Sequence, residues 1–408
     1  MLCLFDVIDM FAIYNYLILI RMGTKKTNVK NTMQIHSQAK VAFYKTYLER
    51  YLSVLCTSKY IKHINVYDVF CGMGIYEDGG KGSPIVAYDT IKNLFINLNF
   101  QKETNITLIV NDKSEKRISV VKDYIAKNNH PYCEVKPYNL DVDDLFNVII
   151  PSVNNSTNDT RNLIFIDPYG YKNIKKDLLF DLMKNGKTEI ILFLPISHMQ
   201  RFTNVAMQDE DEIVQYAPLR EFVYSFFPDT NHPIRQDTIS VKDYIKYISE
   251  SLRFNNKFYT TSYFIERDKS NYFSLFFMSP HIYGFEKILE VKWTLDEDHG
   301  GGFKLPDDMP NLFAEEFAIE TKVENAKKLK SILVELLKEP QTNRSVYEVV
   351  LSNEFLPKHA NEVLNELQKE NRRFHVEDIN TGMPARKGAF YLTYKYYSNP
   401  IVKMYIEQ

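Results

Sequence analysis

The chain has 408 residues, room for two to three folding units, which excludes a peptide hormone or a minimal repeat. With 45% hydrophobic and 25% charged residues the balance is that of a globular protein, neither disordered nor fibrous. Fifty Lys+Arg against 52 Asp+Glu leave a net charge of −2, so any nucleic-acid contact must come from a local basic patch.

Residues 1–35 are expected to be an N-terminal extension. Met1 to Ile20 is apolar, but Asp6, Asp9 and Asn15 interrupt it and no basic residue precedes it, which argues against a membrane span or a signal peptide. Met22 and Met33 are alternative starts. Cys3, Cys56, Cys71 and Cys133 lie far apart without a C-x-x-C pair, so the expected setting is reducing and cytoplasmic. No two histidines have metal-ligand spacing, and His281 and His299 are isolated, so no metal site is expected.

From Ala39 to Leu55 apolar residues recur every three or four positions, predicting an amphipathic helix. Strand-like runs follow at His63–Phe70, Ile106–Asp112, Tyr132–Asp141, Leu163–Asp167 and Glu189–Ile196. The segments between them are long enough for helices, two of which are predicted at Ser83–Leu98 and Lys116–Lys127. This alternation predicts a parallel sheet covered on both faces. Residues 197–256 suggest helices inserted over one sheet end. Lys257–Arg267 and Tyr272–Ser279 then suggest an antiparallel hairpin at the sheet edge. The fold class expected is α/β, in the seven-stranded arrangement of Rossmann-like methyltransferases with the last strand inserted antiparallel, over residues 36–303. Glycines and prolines place a linker at 304–323. In 324–408, helices at Asn325–Lys338, Ser345–Leu351 and Pro357–Asn371 precede strands at Phe374–Asp378 and Ala389–Tyr394 around a turn at Thr381-Gly382, the order of a winged helix.

The chemistry is concentrated at strand ends. Val66-Tyr67-Asp68-Val69-Phe70-Cys71-Gly72-Met73-Gly74 is a strand entering a glycine turn, where Gly72 and Gly74 allow close approach to a nucleoside ligand and Asp68 supplies a carboxylate. The alternative is a tight strand-to-helix turn with no ligand. Asp68, Asp112, Asp141 and Asp167 come at successive strand ends, where open α/β sheets bind ligands. Asp112 suits a ribose diol. Asp141 suits an adenine amino group, with Leu140 supporting the ring; either could instead be a solvated loop acid. In Asp167-Pro168-Tyr169-Gly170 the carboxylate could accept amino protons and the ring could stack a base, the alternative being a plain Asp-Pro turn. The turn lacks the third glycine of a dinucleotide fingerprint, which favours a sulfonium over a pyrophosphate. His198 and Arg201, after the fifth strand, are candidates for contact with substrate, or ordinary surface residues.

Taken together, Asp68-Val69-Phe70-Cys71-Gly72-Met73-Gly74 running on through Tyr76 to Gly79, Gly82-Ser83-Pro84, Leu163 to Gly170, Phe193 with Gln200-Arg201-Phe202, and His281 to Lys287 with Trp293 resemble the three-Cys-motif partner protein family, over roughly residues 36 to 303. The resemblance implies a Rossmann-like S-adenosylmethionine-dependent methyltransferase of bacterial or phage-linked origin, with a partner protein that carries the three cysteines. Under it, Asp68, Phe70, Gly72, Gly74, Asp112 and Asp141 are assigned to the cofactor, Asp167, Pro168 and Tyr169 to catalysis, and Tyr76, Ser83, His198 and Arg201 to substrate. Two departures bear on the acceptor. Phe70 stands where the first turn glycine is expected, and no Pro-Cys dipeptide supplies a cytosine-C5 nucleophile. Asp167-Pro168-Tyr169-Gly170 lacks the second proline of Asp-Pro-Pro-Tyr.

The C-terminal module offers Lys358, His359, Asn361, Asn365 and Lys369 on a candidate recognition helix, with Arg372, Arg373, Arg386 and Lys387 nearby, so nucleic acid, DNA or RNA, is the expected partner and no membrane is. Its charge is only slightly basic, and protein contact or dimerisation is the alternative. The function expected is S-adenosylmethionine-dependent methyl transfer to nucleic acid at a base nitrogen. The runner-up is a non-catalytic nucleic-acid or partner-binding protein that keeps the fold.

Overall fold

The computed structural model describes residues 32–98, 104–208, 214–236, 239–268, 270–296, 300–305 and 314–407. The run Met1–Ile20, His299 and residues 306–313 of the expected linker lie outside them. Among the described residues no helix is long and apolar enough to cross a membrane.

In chain order the first elements are α1 (Ile35–Cys56), β1 (His63–Asp68), α2 (Ser83–Leu98), β2 (Asn105–Asn111), α3 (Glu115–Lys127), β3 (Glu134–Tyr138), α4 (Val142–Asn154), β4 (Thr160–Ile166), α5 (Lys176–Met183) and β5 (Thr188–Leu194). Four helices follow: α6 (Ile196–Gln208), α7 (Ala217–Phe226), α8 (Pro233–Gln236) and α9 (Val241–Ser251). Then come β6 (Tyr259–Asp268), β7 (Asn271–Ser279), α10 (Ile282–Leu295) and β8 (Gly302–Phe303). The chain ends with α11 (Ala314–Leu336), β9 (Gln341–Thr342), α12 (Asn343–Ser352), α13 (Pro357–Glu370), β10 (Phe374–Asp378) and β11 (Val402–Ile406).

The fold is mixed α/β around one mainly parallel sheet of order β3-β2-β1-β4-β5-β7-β6-β8. β7 is antiparallel to both β5 and β6, which is the antiparallel insertion read from the sequence. The central strands are apolar on both faces, so alternate residues feed separate cores. Leu163, Phe165, Ile191 and Phe193 pack under α1 and α2. Ile164, Ile166, Ile190 and Leu192 pack under α4, α5 and α6. The order reverses between β1 and β4, and such a switch opens a crevice at the carboxyl ends of the strands.

The seven-strand expectation is corrected to eight. Gly300-Gly301-Gly302 reads as a boundary, yet Asp296 accepts the backbone N–H groups of Gly301 (2.8 Å) and Gly302 (3.1 Å) and lays the segment beside β6. A Cβ on Gly302 would lie 2.4 Å from the backbone oxygen of Phe264, so only glycine permits the pairing. Ala389–Tyr394 is not a strand. Phe390 and Leu392 are buried in alternation, which mimics strand period, but Tyr391 has φ 54° and the segment joins no ladder. The strand that pairs with β10 is β11, in a three-stranded sheet of order β10-β11-β9. The helix expected from Asn325 already begins at Ala314, because Ala314 to Val323 contains neither glycine nor proline. Asp141 lies three residues past β3, which ends at Tyr138, and caps α4 instead.

The C-terminal elements pack on α10. Lys292, buried in α10, donates to Thr261 Oγ1 (2.6 Å) and pairs with Glu354 (2.8 Å). Trp293 Nε1 donates to the Glu354 carbonyl (2.8 Å), and its ring stacks on Phe355. Tyr347 donates to Glu286. One apolar core runs from α10 through Leu329, Leu333, Val346 and Val363. Glu354→Gln leaves the buried Lys292 ammonium without its counter-charge. Because the Glu354 side chain is itself 46% exposed, solvent screens part of the loss, and stability should fall by about 1–2 kcal/mol, read as a fall in melting temperature against the wild-type chain.

Candidate active site at the carboxyl edge of the sheet

Three of the four aspartates gather at the glycine turn. Asp68 ends β1, Asp112 follows β2 and Asp167 follows β4, and in this parallel register all three emerge on one edge. Gly72 and Gly74 have φ of +62° and +68°, which favours glycine at both. The two differ in surroundings. A Cβ on Gly74 would meet Val121 at 2.8 Å, so Gly74 serves helix packing, whereas one on Gly72 would meet only the Tyr169 hydroxyl, at 3.6 Å.

Each aspartate has a different partner. Asp112 is buried and accepts from the Gly72 N–H (3.2 Å), the Ser114 N–H (2.8 Å) and Arg117 Nη1 (3.2 Å). Asp167 is paired with Lys40 of α1, whose ammonium also sits 4.6 Å from the Phe193 ring centroid. Asp68 is 1% exposed, and neither oxygen has a hydrogen bond of ordinary geometry. Burial first, then the neighbouring Asp167 and Asp112, push its carboxyl up to about 7, against the opposing influence of Ser83 and Lys40.

Beside the turn lies a cavity of about 230 Å³ lined by Phe70, Asn111, Asp112, Lys113, Leu140, Asp141, Pro168, Tyr169 and Lys172, among others. It thus brings together six residues singled out in the sequence: Phe70, Asp112, Leu140, Asp141, Pro168 and Tyr169. Asn111 shapes its floor by accepting from the Leu140 N–H (3.0 Å) and donating to the carbonyls of Val69 (3.3 Å) and Leu140 (3.2 Å). Asp141 caps α4 through the Asp143 N–H (3.2 Å) and shares the cavity wall with Asp112, whereas Asp68 and Asp167 do not line it. Tyr169 is 72% exposed at the mouth. Its hydroxyl accepts from Arg117, whose guanidinium lies 4.9 Å from the ring centroid.

Of the remaining expected residues, Ser83 and Tyr76 lie by the turn and the others lie elsewhere. Ser83 is buried beside Asp68, and Tyr76 forms a small turn in which its N–H meets the Gly80 carbonyl (2.9 Å) near Tyr169. His198 and Arg201 do not line the cavity. His198 Nδ1 meets the Tyr171 hydroxyl (3.3 Å), and Arg201 is tied to the β6–β7 turn through the Ser270 carbonyl and Asn271. On α13, His359 faces inward with its ring 4.4 Å from that of Trp293, and burial followed by Lys358 pulls its imidazole down to about 4. Lys358 and Lys369 are exposed and Asn361 is half-buried, but Glu362, Glu366 and Glu370 share the outer face of α13. The exposed Arg372 and Arg373 follow the end of that helix. Sequence reading passed over Lys40, Asn111, Lys113, Arg117 and Lys172. An Asn followed by Asp at the end of an apolar strand is the one signal that could have exposed Asn111.

No family model matches the chain, and no curated protein does. Solved structures give weak likenesses. Trm1 from Pyrococcus horikoshii, in complex with S-adenosyl-L-methionine, is 11% identical, with 75% of each chain covered and a TM-score of 0.32. A putative O-methyltransferase from Klebsiella pneumoniae is 11% identical, with 66% of this chain and 96% of that chain covered and a TM-score of 0.30. PKMT2 from Rickettsia typhi is 13% identical, with 81% and 73% covered and a TM-score of 0.27. At these scores none of the three bears on what this chain does. Among the described residues no group of three or more acidic, His or Cys side chains could hold a metal ion.

Because the Asp68 carboxyl is raised in the folded state, it favours folding at low pH. That contribution is lost as pH rises through about 7. Asp68→Asn should therefore raise the melting temperature by a few degrees at pH 8 and have less effect near pH 5, measured by thermal unfolding at the two pH values.

Proposed function

We propose that the chain is an S-adenosylmethionine-dependent methyltransferase whose acceptor is a base nitrogen in nucleic acid. One observation carries this reading: a single cavity at the strand-order switch gathers a flat apolar wall, Phe70 and Leu140, with two carboxylates, Asp112 and Asp141, beside a glycine turn.

The residues fit the cofactor. A carboxylate offers about four lone-pair sites and Asp112 uses three, so one remains for a ribose hydroxyl, and a second is freed if Arg117 lets go. Asp141 would receive the adenine amino group, and Leu140 and Phe70 would sandwich the ring. Gly72 leaves the backbone bare on the side toward Tyr169. Bound there, S-adenosylmethionine would supply an electrophilic methyl group on a sulfonium.

The chain's own part is positioning and proton handling. Asp167 is the acceptor for amino protons, and its pairing with Lys40 fixes its position at the sheet edge. Tyr169 offers an exposed ring for base stacking at the mouth, and Lys113 and Lys172 bring positive charge to the same rim. These rim residues support nucleic acid better than α13 does, because the three exposed carboxylates of α13 repel phosphate. The order α11-β9-α12-α13-β10-β11 supports a winged-helix reading of the C-terminal unit. Arg372, Arg373, Lys369 and Lys358 remain its phosphate candidates. Similarity to three-Cys-motif partner proteins, and with it a cysteine-bearing partner, belongs to the same proposal.

A second reading, a non-catalytic nucleic-acid or partner-binding protein, draws on one feature: Lys40 and Arg117 already occupy Asp167 and Asp112. Two measurements separate the readings. Calorimetry should show S-adenosylmethionine binding that Asp112→Ala weakens by at least about tenfold. Radiolabelled methyl should pass to RNA or DNA, and Asp167→Ala should cut that transfer by about 100-fold or more while changing cofactor affinity by no more than about threefold. Cofactor binding without transfer would favour the non-catalytic reading; absence of binding would overturn the first.

A further inference from the structure

Three carboxylates and two cations meet around the glycine turn. Asp167 has Lys40, and Asp112 has Arg117 together with two backbone N–H groups. Asp68 has neither: it is buried, both its oxygens are unpartnered, and it lies against the other two carboxylates. The groups that face it are Lys40 and Tyr44 from α1, Ser83 from α2, Cys71 from the turn, Asp112 beyond β2 and Asp167 beyond β4. Of these only Lys40 carries positive charge, and it is already shared with Asp167 and the Phe193 ring. The Tyr44 hydroxyl, also buried and unpartnered, is held neutral by burial and by Asp68 itself. The cluster is therefore one positive charge short of neutrality when all three aspartates are ionised.

We infer that Asp68 is the element by which the chain tells the methyl donor from its demethylated product. It holds a proton while the turn is empty and gives it up when a positively charged sulfonium arrives. This rests on the methyltransferase reading and adds a ligand preference to it. Donor and product share adenosine, carboxylate and amino groups and differ by one methyl group and the sulfonium charge it creates. Hydrogen bonds to the shared groups cannot separate them strongly, but a carboxylate kept out of water can, since charge interactions strengthen as solvent is excluded. The proton step balances: the Asp68 carboxylic acid becomes carboxylate and its proton passes to buffer, while the neutral thioether product calls for no such loss. Preference for the donor therefore grows as pH rises, and product leaves more readily where the donor is held most tightly. Asp68 is a positioning charge and need not touch either ligand.

The test compares S-adenosylmethionine with S-adenosylhomocysteine on the full chain. At about pH 6.5 the amino groups of both ligands are charged, so calorimetry in two buffers of different ionisation enthalpy reports on the protein. The donor should release close to one proton per site and the product far less. The ratio of product Kd to donor Kd should rise about tenfold between pH 5.5 and 8.5. Asp68→Asn should flatten that rise. Lys40→Met, which removes the nearest cation, should move its midpoint upward by about one pH unit, which a merely structural role for Asp68 would not do. Equal proton release with both ligands and a ratio independent of pH would overturn the inference alone. Failure of both ligands to bind would overturn the methyltransferase reading beneath it.

Discussion

Asp68, Asp112 and Asp167 stand within electrostatic reach of one another at the head of a parallel sheet, where apolar strands leave little water to separate them. Such a grouping persists only if each charge is neutralised, paired or protonated. The surroundings show all of these responses. Backbone N–H groups and Arg117 converge on Asp112. A helix from before the first strand delivers Lys40 to Asp167. Asp68 has neither kind of partner, and burial pushes its carboxyl up to about 7. The position of α1 follows from the same demand, since its buried tyrosines anchor it over β4 and β5 and set Lys40 at the sheet edge.

The same edge has two halves that differ. On the β2–β3 side the cavity is open and its wall is fixed by Asn111, a single side chain that ties two loops together. On the β1–β4 side the turn is covered by Tyr169 and Arg117, which hold each other. At about 230 Å³ the open part falls below the roughly 300–1,000 Å³ usual for drug-sized ligands. The Tyr169–Arg117 contact at its edge is exposed to solvent and cheap to break.

Much of the sheet was legible in the sequence because its strands are buried on both faces and bounded by turn residues, which gives short apolar runs that period and length identify. Gly72, Asp112 and Tyr169 were legible for a related reason: strand ends are where the chain turns, and the turn chemistry is written in adjacent residues. What escaped was decided at long range. Lys40 lies 127 positions from Asp167 and looks like any surface lysine of an amphipathic helix. Phe390 and Leu392 alternate like a strand, although burial in the core, and not pairing, sets that alternation. His359 resembles a groove-reading residue until Trp293, on another element, closes over it.

Glu354 takes the left-handed backbone conformation, φ 62°, that a β-carbon resists, and it reaches Lys292 and Thr261 with its side chain while its carbonyl receives the indole of Trp293. A junction built this way is set rather than loose. Cutting the chain after β8 would strip the roof from α10 and leave an ammonium and an indole facing water they were never shaped for. Sheet and C-terminal helices should then melt together as one cooperative body, so that a ligand seated at the strand ends also firms the far end of the molecule.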